Sequence, residues 1–204
     1  MSTHTADPKL DPYTAKAEGG TEPTPAEKLE QLKTIIKSAP TGMLTTRGKD
    51  GAMHSRAMRP TTWDSLVFTF VFNNVSHKAE EIESDSHVNL SFFDQSSTNW
   101  VSVAGIAKIS NDPIKIKENW SAFMSGYFGK VDAEHKGDSS DPRVSLIEVT
   151  PVNIRYWIAT SGKIVRAATT AVSAITGSGS PPGELHIMTE EEIKLVKGLA
   201  LKSG

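Results

Sequence analysis

The sequence predicts a mainly β chain of the α+β class, a small antiparallel barrel with appended helices. Three observations predict it. About seven short runs with strand-like apolar patterning lie between residues 43 and 158. Turn signals and two short helical patterns separate them, with no βαβ alternation and no internal repeat. Helix-start signatures stand near both ends of the chain, outside the run of strands.

Taken in order, residues 1–23 are polar and rich in Thr, Pro, Gly and Lys, and are expected to form a disordered tail. Thr24 as N-cap, Pro25 at the first helical position and Glu27 at N3 make a capping box. Leu29, Leu32, Ile35 and Ile36 then fall on one helical face, and Pro40 stops the helix. Strands are expected at 43–47 and 52–59, joined by Gly48-Lys49-Asp50-Gly51 with its Asp-Gly hairpin signal. Residues 66–72 are apolar on both faces, as in a strand covered on both sides. A short helix over about 77–83 follows, capped by Ser76, then strands at 88–93 and 100–109.

Asp112 and Pro113 open a further helix, with Ile116, Trp120, Phe123 and Met124 as its apolar stripe. Residues 126–143 read as a Gly/Asp/Ser-rich loop, either a lid facing substrate or a partner, or a plain disordered surface loop. Strands return at 144–149 and 154–158. Residues 163–176 are ambiguous and 177–183 read as a linker. Thr189 and Glu192 form a second capping box, opening a helix through Leu201. The expected organisation is a tail (1–23), a barrel domain (24–160) and a C-terminal extension of linker and helix (161–204).

Composition narrows the function. The 204 residues fit one compact domain with extras, or at most two small ones. A net charge of −2 gives no basic excess, so binding along a nucleic-acid backbone is not expected. No apolar run approaches the roughly 18 residues of a membrane span. Met1–Gly20 has no apolar h-region, so no secretory signal is expected and a cytoplasmic location is the default. With no cysteine there is no disulfide, no thiolate metal site, no cysteine nucleophile and no cysteinyl link or photoadduct to a flavin. The six histidines lack metal-ligand spacing, and neither a Gly-rich phosphate loop nor a Gly-x-Ser-x-Gly elbow occurs.

Two segments carry chemistry. In Ser76-His77-Lys78, cations in the first helical turn oppose the dipole at a cost of about 0.3–1 kcal/mol, a sign that a bound anion reverses. Free N–H groups, a hydroxyl and a lysine suit phosphate; the alternative is a solvated lysine on a surface helix. On the second strand, His54, Arg56 and Met58 share a face. A mid-strand arginine needs an acceptor. Phosphate or a ring carbonyl fits its planar fork, and a salt bridge to a core-edge carboxylate is the alternative. Trp100 and Trp157 could cover a planar ring, or pack in a core or interface.

These residues carry a family resemblance. Gly51-x-x-His54-Ser55-Arg56-Ala57-Met58, then Ser76-x-Lys78 opening a helix with Glu80, Glu81 and Ile82, then Trp100-Val-Ser-Val-Ala-Gly105, resemble the FMN-binding split-barrel superfamily. That superfamily includes pyridoxamine 5′-phosphate oxidase and the general stress protein 26 group. Asp112, Trp120, Asp141-Pro142-Arg143, Ile147-Glu148-Val149 and Tyr156-Trp157 are similar to the general stress group. With Pro181–Leu185 and the last helix added, the whole resembles the fungal blue-light-inducible Bli-3 proteins over about residues 26–201.

The resemblance implies a six-stranded Greek-key split β-barrel with flanking helices, a homodimer, and one FMN per subunit at the interface. Ser55, Arg56, Ala57 and Met58 would meet the flavin ring and phosphate. Val71 and Phe72 would line the ring, and Ser76, His77 and Lys78 would hold the phosphate. Trp100 stands where the oxidase has a flavin-contacting Gln, Trp157 matches a ring-contacting Trp of the second subunit, and Arg166 matches a late flavin-contacting Arg.

Departures matter too. Gly129–His135 replaces the oxidase's substrate-phosphate motif, Lys163–Arg166 replaces its late Arg-x-His clamp, and Phe72 replaces a common polar residue. True pyridoxamine phosphate oxidation is therefore not expected. An FMN-dependent oxidoreductase of unknown substrate, tied to stress or light response, is the first reading. A non-enzymatic flavin-binding storage or sensing protein is the second. A structural dimer with an empty or different pocket, for haem (with His54 or His77 as axial group), F420 or a lipid-like ligand, is the third.

Overall fold

In this computed structural model the described residues are 9, 11–63, 66–160 and 181–200, with the last two side chains of the C-terminal helix left out. The expectations for 163–176, for Arg166 and for most of the 177–183 linker lie outside them.

The strand signals form one antiparallel sheet: β1 (Gly42–Arg47), β2 (Met53–Met58), β3 (Phe68–Asn73), β4 (His87–Phe93), β5 (Trp100–Ser110), β6 (Val144–Ala159) and β7 (Gly183–Met188). The order is β2-β1-β4-β5-β6-β3, with β7 also on β6. The sheet curls into a half-barrel, as expected for a split barrel. Phe68, Phe70 and Phe72 of β3 are buried, with Leu44, Leu90, Phe92, Val101, Val103, Ile147 and Val149 from neighbouring strands. Helix α2 (Pro25–Ser38) adds Leu32, Ile35 and Ile36, and α3 (His77–Ser84) adds Ala79 and Ile82. The 48–51 turn closes the β1–β2 hairpin with Gly51 at φ +86°.

Two expected strands are one. β6 runs unbroken through Pro151 because the ladder to β5 shifts there: Gly105 faces Pro151, Ala104 faces Asn153, and Val152 is the extra residue. A Cβ on Gly105 would lie 2.7 Å from the Thr150 carbonyl oxygen, so only glycine lets the strands meet at this shift. β3 pairs with residues 144–149 of β6 and β7 with 154–159, while β5 takes the opposite edge.

Three stretches depart from expectation. Within the supposed tail, Asp11 caps helix α1 (Pro12–Glu18), which packs on β7 with Ala17 buried and Tyr13 stacked on Trp157 at 6.4 Å. The helix opened by Asp112, α4 (Pro113–Asn119), stops early because Trp120 takes extended backbone (φ −79°, ψ 138°). Ile116 and Trp120 still reach a small second core with Phe128, but the expected stripe is broken and Phe123 is 74% exposed. A 3-10 turn (Ala122–Met124) and the short α5 (Ser125–Phe128) follow. The third departure is β7, which follows the linker where no strand was read.

The C-terminal helix, α6 (Glu190–Ala200), begins as expected: Thr189 N–H donates to Glu192 Oε2 at 2.8 Å and Glu192 N–H to Thr189 Oγ1 at 3.3 Å. The Thr24–Glu27 box is present as well. Lys28, one position past Glu27, is only 2% exposed. Its Nζ donates to the Ile187 carbonyl (2.7 Å) and Glu192 Oε1 (2.8 Å) and pairs with Glu22, joining α2, β7 and α6. Burial works against its charge, but the two carboxylates outweigh this and raise its pKa. Breaking a buried pair leaves its partners unsatisfied. Lys28→Ala should therefore lower stability by about 3 kcal/mol in urea unfolding, while Leu195→Ala, at a position 56% exposed, should change it by less than about 0.5 kcal/mol.

Candidate functional site

A cleft of about 1170 Å³ opens between β2, β3, the residues after β2, the end of α2, the start of α3 and the 118–128 segment. Its wall is apolar at Met58, Val71, Phe72 and Phe128. Its charged members are Lys37, Arg56, Arg59, Lys78 and Glu118. Of the site residues expected from the sequence, Arg56, Ala57, Met58, Val71, Phe72 and Lys78 line this one cleft.

The others sit elsewhere. Ser55 is exposed on β2, its hydroxyl 2.7 Å from Thr45 Oγ1. His77 is exposed at the first position of α3. Trp100 and Trp157 face each other across the β5–β6 ladder and do not line the cleft. Ser76 occupies the N-cap position of α3 but does not cap it with its side chain, as the sequence had suggested. Its hydroxyl donates instead to the Asn73 carbonyl at 2.6 Å and accepts from Lys78 Nζ at 2.7 Å. The first turn of α3 is thus left without a side-chain acceptor, the condition in which a helix N-terminus attracts an anion.

Arg56 finds the carboxylate that its alternative reading required. Its Nη2 donates to Glu81 Oε2 at 2.7 Å, and its Nη1 donates to Thr46 Oγ1 and to the Leu44 carbonyl at 3.3 Å. Thr46 in turn donates to Glu81 Oε2, and His54 Nδ1 lies 2.7 Å from Glu81 Oε1. Glu81 is buried, which alone would raise its pKa; bonds from Thr46, Arg56 and His54, with the charge of Arg56, outweigh burial and hold it at about 2. Sequence reasoning named Glu81 only within a helix motif and passed over Thr46. The signal available was the helix phase, which places Glu81 beside buried Ile82 and three residues after Lys78.

Lys78 is less well served. Among the described residues it makes no ion pair; Nζ meets Ser76 Oγ and lies 5.6 Å from the centre of the Phe72 ring. Burial first, then the Arg56 charge, lower its pKa, and Glu81 offsets part of this. A half-buried cation beside a second cation and an uncapped helix start is a site that an anion completes.

The 126–143 loop is tied down rather than free. Arg143 donates through Nε and Nη2 to Asp141 at 3.0 and 2.8 Å, and through Nη2 to the Gly129 carbonyl at 2.9 Å. The Arg143 bonds, set against burial, hold the Asp141 carboxyl well below the usual carboxylate range. Of this stretch, Tyr127 and Phe128 reach the cleft.

A half-barrel sheet with flanking helices, its cleft lined from β2 and β3, defines a split-barrel protein. The chain belongs to the pyridoxamine 5′-phosphate oxidase-like family, whose model matches residues 27–180. Protein bli-3 of Neurospora crassa is 31% identical over 194 residues, 93% of this chain and 92% of that one. A protein related to general stress protein 26 from Clostridium acetobutylicum superposes with a TM-score of 0.59 at 15% identity, covering 82% of this chain and 97% of that one. A pyridoxamine 5′-phosphate oxidase-related, FMN binding protein from Nostoc punctiforme superposes at 0.50 with 14% identity, covering 65% and 81%. These two likenesses concern the fold. The family expected from the residues is borne out. Among the described residues no helix is long and apolar enough to cross a membrane, and no group of three or more His, Asp or Glu is placed to hold a metal.

The network sets an acid response. Glu81 has a folded-state pKa of about 2 against an ordinary 4.5, so its contribution to stability is fully present above about pH 4.5 and is lost as pH falls toward 2. Urea midpoints measured from pH 6 to pH 2 should fall across that window, and Glu81→Gln should flatten that part of the profile.

Proposed function

We propose that the cleft holds FMN and that the chain is a flavin-dependent oxidoreductase working as a homodimer. The observation that carries this reading is the pairing of Arg56 and Lys78 in one apolar-walled cleft at an uncapped helix start. Lys78 would take the phosphate with the first-turn N–H groups of α3, held in place by Ser76. Arg56 would add a second set of donors from β2. Ala57, Met58, Val71 and Phe72 would flank the ring, and Phe72 also lies under Lys78. When bound, FMN supplies hydride and single-electron transfer, and the protein positions it and sets its electrostatics.

That the Nostoc punctiforme protein of similar fold is an FMN binding protein supports the choice of cofactor. A second copy would bring its own Trp157, absent from this chain's cleft, toward the ring. Phe123 and Tyr127, 74% and 73% exposed at the cleft, support a covered rim. The departures at Gly129–His135 and Lys163–Arg166 argue for a substrate other than pyridoxamine phosphate.

The test is the visible spectrum of the purified chain after addition of FMN and removal of free ligand. Two flavin bands with resolved shoulders are expected, and a colourless product overturns the reading. Turnover with NADH or NADPH then separates an enzyme from a storage or sensing protein. Lys78→Met should weaken FMN binding by about 10- to 100-fold, the value of one charge-assisted bond, in a fluorescence titration. It is a cleaner probe than Arg56→Ala, which strands Glu81 as a buried charge without its arginine.

A further inference from the structure

The buried Glu81 carboxylate is not part of the cleft lining, yet its hydrogen bonds fix a side chain that is. Both of its oxygens are occupied. Oε1 meets His54, and Oε2 accepts from Arg56 Nη2 and from the Thr46 hydroxyl, which itself accepts from Arg56 Nη1. Thr46 is fully buried, so this relay is shielded from water. With the Leu44 carbonyl as third acceptor, three of the five guanidinium N–H donors are consumed by the protein itself. Two remain, Nε–H and one on Nη2. An arginine on a solvent-facing strand edge samples many rotamers; one with three donors pinned by buried acceptors presents its last two in a fixed direction.

We propose that Glu81, acting with Thr46, is a positioning residue for the phosphate of the ligand: it holds Arg56 so that Nε–H and one Nη2–H are left for the anion. The inference rests on the FMN reading above and adds a specific role to a residue that does not touch the ligand. It makes an unusual demand. Removing the negative charge of Glu81 makes the cleft more positive, which by charge alone should tighten anion binding. Positioning predicts the reverse.

The experiment compares FMN with riboflavin, which has the same ring and ribityl chain and no phosphate, by fluorescence titration of the full chain. Four proteins are used: wild type, Glu81→Gln, Thr46→Val and Thr46→Ser. Thr46→Val keeps the shape and charge of the site but deletes the relay hydroxyl, and Thr46→Ser restores it. Wild type should bind FMN well above riboflavin. Glu81→Gln and Thr46→Val should each lower FMN affinity by about tenfold while riboflavin affinity stays within about twofold, and Thr46→Ser should match wild type.

Tighter FMN binding by Glu81→Gln would overturn the proposal, because charge rather than orientation would then dominate. An equal loss for both ligands would overturn it as well, assigning Glu81 a purely structural role. If Glu81→Gln does not fold, the Thr46→Val and Thr46→Ser pair decides in the same way. A wild type that binds FMN no better than riboflavin sinks the phosphate site itself, a failure distinct from a wild type that prefers FMN and variants that leave the preference intact.

Discussion

A single buried carboxylate organises this site. Glu81 sits where β1, β2 and α3 meet, and a charge there persists only if its hydrogen bonds outweigh the loss of water. Thr46 from β1 and His54 and Arg56 from β2 supply those bonds, so satisfying Glu81 also fixes α3 against the first hairpin. Lys78 lies three residues earlier on the same helical face. Whatever buries Glu81 therefore carries Lys78 and the start of α3 into the cleft. The proposed anion site is in this sense a consequence of how one acid is neutralised.

The Lys28 cluster uses the same physics for a different end. Lys28 is a buried cation satisfied by Glu192, Glu22 and the Ile187 carbonyl, and through it α2, β7 and α6 are held together. In each place an isolated ion would be ruinous, and a full set of partners turns it into a cross-link between segments distant in sequence. The Lys28 cross-link ties the two ends of the described chain to the sheet, while the Glu81 cross-link orients a cleft-lining side chain.

What the sequence disclosed was local. The Thr24 and Thr189 capping boxes, the Asp112 cap, the Asp50-Gly51 turn and the two-sided β3 each depend on residues within a few positions, and each is present. What it withheld depended on partners far away. β7 exists because β6 is long enough to offer a free edge beyond β3. α1 is held where Tyr13 meets Trp157, about 140 positions on, a contact no tail composition announces. The stripe through Trp120 followed helical spacing, but the backbone leaves the helix at that residue to close a small separate core. Within the site, Arg56 and Lys78 were legible as cations in unusual places. Which of Glu80, Glu81 and Glu83 would answer Arg56 was not, because only the packing of Ala79 and Ile82 fixes the helix phase that turns Glu81 inward.

Net charge is a poor guide to such a site. The chain carries −2 overall, yet the cleft wall sets Lys37, Arg56, Arg59 and Lys78 against Glu118. At physiological salt, charges beyond about 8 Å are largely screened, so a ligand in the cleft feels the near cations and not the sum over the surface. Those cations are not equal. Arg56 is balanced by Glu81, and Lys37 and Arg59 are exposed to solvent, where each is worth little. Lys78 alone among them is half-buried without an ion pair among the described residues. A cleft with one uncompensated cation and one clamped guanidinium suits the single phosphate proposed above. A long phosphate backbone would gain from many exposed cations in a row; a mononucleotide needs one well-placed anchor and an apolar wall.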